Sequence, residues 1–113
     1  MTYKTIVTET TTTLLDASDF GLSDKIHIRN SANVVKVKKL SIINNSSSDA
    51  TAHVFLDHLT STEAVDHYHI TGTVTIPANV TLILDDPFPV NLKTHKLVLT
   101  NTGTNPKLTI RID

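Results

Sequence analysis

The chain has 113 residues, enough for one compact core and too few for two. It contains no cysteine, which excludes a disulfide scaffold and a thiolate metal site, and its ten basic and eleven acidic residues leave a net charge of −1, without the basic footprint of a nucleic-acid or anionic-membrane binder. Threonine, valine and isoleucine number 19, 10 and 10, a β-branched composition that favours pleated, half-buried strands over helices.

The first thirteen residues differ in kind from the rest. Thr5 to Thr13 has strand propensity but almost no apolar face, with only Ile6 and Val7 standing out. Such a segment buries too little to offset its own ordering entropy. One reading is a flexible leader or a poorly buried edge strand. The other is an extended N-terminal arm over 1–13 that adds to a neighbouring subunit's sheet edge through Thr5, Ile6, Val7 and Thr8. Thirteen extended residues reach at most about 43–47 Å, enough to cross to a neighbour. Met1 to Thr13 also lacks the apolar stretch of a signal peptide.

The remaining residues, 14–113, are expected to form one domain. A short strand at Ile26 to Arg29 precedes a longer one from Val34 to Asn44, whose inward phase shifts from Val35 and Val37 to Leu40 and Ile42. A β-bulge near Lys38 and Lys39 reconciles the two halves. After a polar, hydrated loop, Ala52 to Leu59 reads as a strand with Val54 and Leu56 inward. His67 to Ile76 alternates most clearly, with Tyr68, Ile70, Gly72, Val74 and Ile76 on one face. Val80 to Leu84, Lys96 to Asn101 and Lys107 to Asp113 follow, contributing Val80, Leu82, Leu84, Leu97, Leu99, Leu108 and Ile110. Between them stand the turn sequences Pro77-Ala78-Asn79, Asp85-Asp86-Pro87-Phe88-Pro89 and Asn101 to Pro106. Strand plus turn recurs about every ten residues, which predicts an all-β, single antiparallel β-sandwich of jelly-roll or immunoglobulin-like type with seven to nine strands.

No motif calls for catalysis: there is no cysteine nucleophile, no serine in a G-x-S-x-G setting, and Glu9 and Glu63 stand apart. Among the six histidines, His67 and His69 share a strand face and are the candidate metal ligands, with Asp66 or His58 as further donors. The alternative is a solvated or interface face continued by Thr71, Thr73 and Thr75. Two imidazoles leave a coordination shell incomplete, so the isolated subunit is expected to hold no metal and no cofactor. His27, His53 and His95 read as scattered structural or exposed residues, and Asp85-Asp86 as an ordinary turn opening. Lys36, Lys38 and Lys39 form a local basic stripe, either a charged edge that blunts aggregation or a partner contact. The near-absence of aromatic residues argues against a stacking surface for sugars or nucleic acid.

Lys39 to Asn45, Ala52 to Asp57, Val74 to Asp86, Lys96 to Asn101 and Leu108 to Ile112 together resemble a recurrent pattern in small β-sandwich virion proteins of tailed bacteriophages. The resemblance spans about Lys36 to Asp113 and is one of strands and turns. It implies a non-enzymatic structural protein made in the host bacterial cytoplasm and located in the virion, most simply a capsid decoration or cement protein on the major capsid protein lattice. The alternatives are a neck, tail accessory or fibre-associated protein, or a receptor- or carbohydrate-binding tip domain. The implied partners are other virion proteins and copies of itself, a trimer being one arrangement, with no nucleic acid and no membrane. The contact candidates are the Thr-rich leader and the lysine stripe.

Overall fold

A computed structural model describes residues 3–16, 34–59, 68–102 and 107–113. Among the described residues there is no helix, and all pairing is antiparallel. One sheet has β1 (Tyr3–Val7), β11 (Leu108–Ile112), β4 (Leu40–Asn44) and β8 (Thr81–Leu84) in that order. A second has β2 (Thr11–Leu15), β10 (His95–Thr102), β5 (Ala50–His58) and β6 (Tyr68–His69), with β7 (Val74–Ile76) also on β5. β3 (Val34–Val37) and β9 (Phe88–Asn91) form a two-stranded ribbon. That ribbon extends the first sheet, because β3 runs into β4 and β8 into β9.

Alternation along each strand turns one face of both sheets inward, the arrangement of a sandwich-like fold. Leu40 and Ile42 of β4, Leu108, Ile110 and Ile112 of β11, Ala52 and Val54 of β5, and Leu97 and Leu99 of β10 all join a single buried cluster. Ile76 and Leu56 are buried as expected, whereas Ile70, Leu82 and Leu84 are only half-buried against the core.

Residues 3–15 do not form an arm detached from the domain. β1 pairs along β11 from Tyr3↔Ile112 to Val7↔Leu108, and β2 pairs along β10, so each forms one border of its own chain's sheet. Of the two readings of the leader, the edge strand is the one observed, and a boundary after Thr13 would cut through β2. The sparse apolar content suffices for an edge strand, since Val7, Leu14 and Leu15 reach the core. Leu14 and Leu15 are both buried because the β2–β10 register shifts between Leu97 and Val98. The described residues hold eleven strand segments rather than seven to nine.

Two interruptions explain most of the excess. At Lys38 and Lys39 both amides donate to the main-chain oxygen of Asp113, at 2.8 and 3.4 Å, two residues facing one as in a bulge. This is where Val35 and Val37 hand the inward phase to Leu40 and Ile42. The second lies inside His67 to Ile76, which is not one strand. Ile70 and Thr71 both donate to the Val54 carbonyl, at 2.9 and 3.0 Å, and the Thr71 hydroxyl accepts from the Val54 amide. A side chain replaces a ladder bond there, and β6 separates from β7.

Asn44 and Asn101 fasten one end of the molecule. Fully buried Asn44 donates from Nδ2 to the carbonyls of Ile76 (2.9 Å) and Ser48 (3.0 Å), while Oδ1 accepts from the Ser46 amide (3.0 Å). Its main chain bonds Asn79 and Val80, so the turn that launches β8 hangs on this residue. Asn79 in that turn has φ 63°, a left-handed conformation that asparagine tolerates better than most residues. Asn101 Nδ2 donates to the Glu9 carbonyl (2.6 Å), tying the β1–β2 connection to β10.

Candidate functional site: an edge groove and an adjoining histidine pair

Among the described residues β8 and β6 end their sheets, and no described strand lies on the outer edge of either. A groove of about 730 Å³ runs along these two edges. Leu56, Ile70, Leu84 and Phe88 provide its apolar wall, Tyr68 and Ile83 stand on its rim, and Asp85 and Asp86 give one stretch of it a negative lip. Tyr68 has the inward phase expected of it, directly opposite buried Leu56, but is 66% exposed at the border of its sheet. Val80, expected inward, is 43% exposed: it closes the turn, donating to the Pro77 carbonyl at 3.2 Å, and precedes the strand. Ile83 is 52% exposed.

The two adjoining edge segments are protected very differently. β9 carries Pro89 and follows Pro87, residues that cannot donate to an added strand. Val80 to Leu84 contains neither proline nor charge, and edge strands of that kind are templates for pairing with another chain. Asp85 and Asp86 are the carboxylates lining the groove, and His69 and Tyr68 line it as well.

On the outer face of the second sheet, His53 Nε2 and His69 Nδ1 lie 2.7 Å apart. β5 and β6 pair Phe55 with His69, which places His53 diagonally across. The two rings are nearly parallel, 19° between planes, and Phe55 flanks both. Partial desolvation, with the His69 imidazole adding to it, lowers the pKa of His53 below its ordinary 6.5. A second pair, His58 and His95, sits directly cross-strand with rings edge to face at 81°.

The other sequence candidates are dispersed. Thr5 pairs with Ile110 inside the first sheet, Ile6 and Thr8 are exposed, and Val7 is buried in the core and unavailable to a partner. Lys36, Lys38 and Lys39 are exposed, yet the Lys38–Lys39 joint lies opposite Asp85 to Pro87, between the Leu40↔Leu84 and Val37↔Phe88 pairs. Two of the three lysines therefore sit at register positions opposite Asp85 to Pro87, and Lys36 pairs with Pro89. His67 lies outside the described residues, and His69 meets His53. Among the described residues no three His, Asp or Glu side chains gather as a metal cluster, and no helix is long and apolar enough to cross a membrane.

Ile83 was legible as an outward-phased apolar residue beside Leu82 and Leu84. The His53–His69 contact was not, because it depends on which strands pair. Compared with protein-family models and with curated proteins, the chain matches none.

Proposed function

We propose that this protein is a non-enzymatic structural component of a tailed-bacteriophage virion, a decoration or cement protein that binds the major capsid protein lattice through the β8 edge and its groove. The carrying observation is the apolar edge from Val80 to Leu84, which no described strand covers, continuous with the groove that bears exposed Tyr68 and Ile83. Isolated in water such an edge invites pairing, and in an assembly it offers main-chain hydrogen bonds plus apolar pockets to an extended segment of a neighbour. Many copies on a lattice make a modest affinity per copy sufficient.

The strand order supports a specific form of sandwich. If β3 with β4, β6 with β7 and β8 with β9 each count as one interrupted strand, the eleven segments become eight strands. Their sheet orders are then first–eighth–third–sixth and second–seventh–fourth–fifth. That is a jelly-roll arrangement, an architecture used in capsid proteins, lectins and enzymes alike. The fold is thus compatible with the virion reading without selecting it, and the edge carries the proposal.

Ile83→Lys tests it. The side chain is already exposed, so the variant should fold with unchanged thermal stability while its incorporation into particles falls at least about tenfold. Normal incorporation would overturn the assignment of this edge.

A receptor- or carbohydrate-binding tip domain is the second reading, favoured by one observation. Tyr68, an exposed aromatic ring, shares the groove with Asp85 and Asp86, a combination suited to stacking on a sugar and accepting its hydroxyl protons. Saturable glycan binding abolished by Tyr68→Ala would favour it over the lattice role.

A further inference from the structure

We infer that His53 and His69 form a bidentate binding site for a labile divalent cation of the zinc, nickel or copper class. The inference is independent of the virion reading.

The two nitrogens already converge. His53 Nε2 and His69 Nδ1 are 2.7 Å apart, so one ring's lone pair points at the other ring's N–H, and a cation would take that proton's place. Zinc–imidazole bonds of about 2.0–2.1 Å in tetrahedral geometry set the two nitrogens roughly 3.4 Å apart. Rotation of the two side chains would open the present contact by that difference. Ring centroids 4.8 Å apart with the two nitrogens at 2.7 Å set the imidazoles edge to edge, nitrogen toward nitrogen.

The backbone pre-organises the pair. β5 and β6 hold the two residues in a fixed diagonal through the Phe55↔His69 and Leu56↔Tyr68 pairs, and β5 is secured on its other side by β10. Phe55 packs beside both imidazoles and limits the rotamers to be lost on binding. His69 is exposed, so an ion has access.

The chemistry of the donors decides the class of ion. Two imidazoles with no carboxylate suit zinc, nickel and copper and give little to magnesium or calcium, which take oxygen ligands. No third His, Asp or Glu joins the pair among the described residues, so water fills the remaining positions and the ion exchanges freely. The second histidine pair serves as an internal contrast. The His58 and His95 rings meet edge to face at 81° with centroids 5.0 Å apart, and His95 Nδ1 is engaged by the Thr94 hydroxyl at 2.8 Å.

The test is titration of the full chain with Zn²⁺, Ni²⁺ and Mg²⁺ by calorimetry, repeated on His53→Ala, His69→Ala and His95→Ala. Circular dichroism would check that each variant is folded. The expected result is one zinc or nickel per chain, no magnesium binding, at least tenfold weaker binding in each of the first two variants, and unchanged binding in the third. In parallel, substoichiometric Cu²⁺ should broaden the imidazole NMR signals of His53 and His69 before any others. Absence of zinc and nickel binding, binding insensitive to both His53→Ala and His69→Ala, or first broadening at His58 and His95 would each overturn the inference.

Discussion

Asn44 shows how a single polar side chain can organise one end of this fold. Its carboxamide is buried and bonds the carbonyls of Ile76 and Ser48 and the amide of Ser46, while its main chain holds Asn79 and Val80. Removing a buried donor strands its acceptors, at a cost above that of an ordinary hydrogen bond. Asn44→Ala is therefore expected to lower stability by about 2–3 kcal/mol in urea titration. Read as sequence, Asn44 opens a hydrated loop, because nothing in alternation distinguishes an asparagine that bonds water from one that bonds main chain. His53 makes a different prediction at the same scale. Its folded pKa lies below the unfolded value of 6.5, so the unfolded chain binds more protons between the two. The associated stability is present above pH 6.5 and is lost as pH falls through the lowered folded value. Unfolding free energies measured from pH 8 to 5 should show that decline, and His53→Gln should flatten it.

Among the elements, β1 and β2 carry the largest revision. Composition identified Thr5 to Thr13 as strand-prone and poor in apolar side chains, and the described strands β1 and β2 span most of it. They do not determine whose sheet the strands join, because an edge strand gains much of its stability from main-chain bonds that look alike in any sequence. A chain starting at Leu14 loses β1 and most of β2, uncovers β11 and β10, and removes Val7 from the core. It is expected to lack a cooperative thermal transition or to melt more than about 10 °C below the full chain. Melting at an unchanged temperature would mean that the domain is complete without these strands. The parity change between Val37 and Leu40 was readable because both halves bury apolar residues. The break between β6 and β7 was hidden because Thr71 replaces a ladder bond with its hydroxyl without disturbing the alternation of residue types.

At the scale of the molecule, the all-β class follows from composition and the core largely from alternation. The groove does not, since it arises where the borders of two sheets approach and where Tyr68, correctly phased, stays exposed. Partner identity is still less accessible to sequence, because an exposed edge advertises pairing but not with whom. The lysine stripe illustrates the same gap: three nearby cations suggested a contact surface, and strand register sets two of them opposite Asp85 and Asp86. The central claim is that the β8 edge and groove dock this protein onto a virion lattice. Electron cryomicroscopy of tailed-phage particles that carry the chain tests it most directly. The account predicts repeated copies of the domain on the capsid lattice with Val80 to Leu84 and Tyr68 against a neighbouring protein. Particles without the chain, or copies whose β8 edge and groove face solvent, would contradict it.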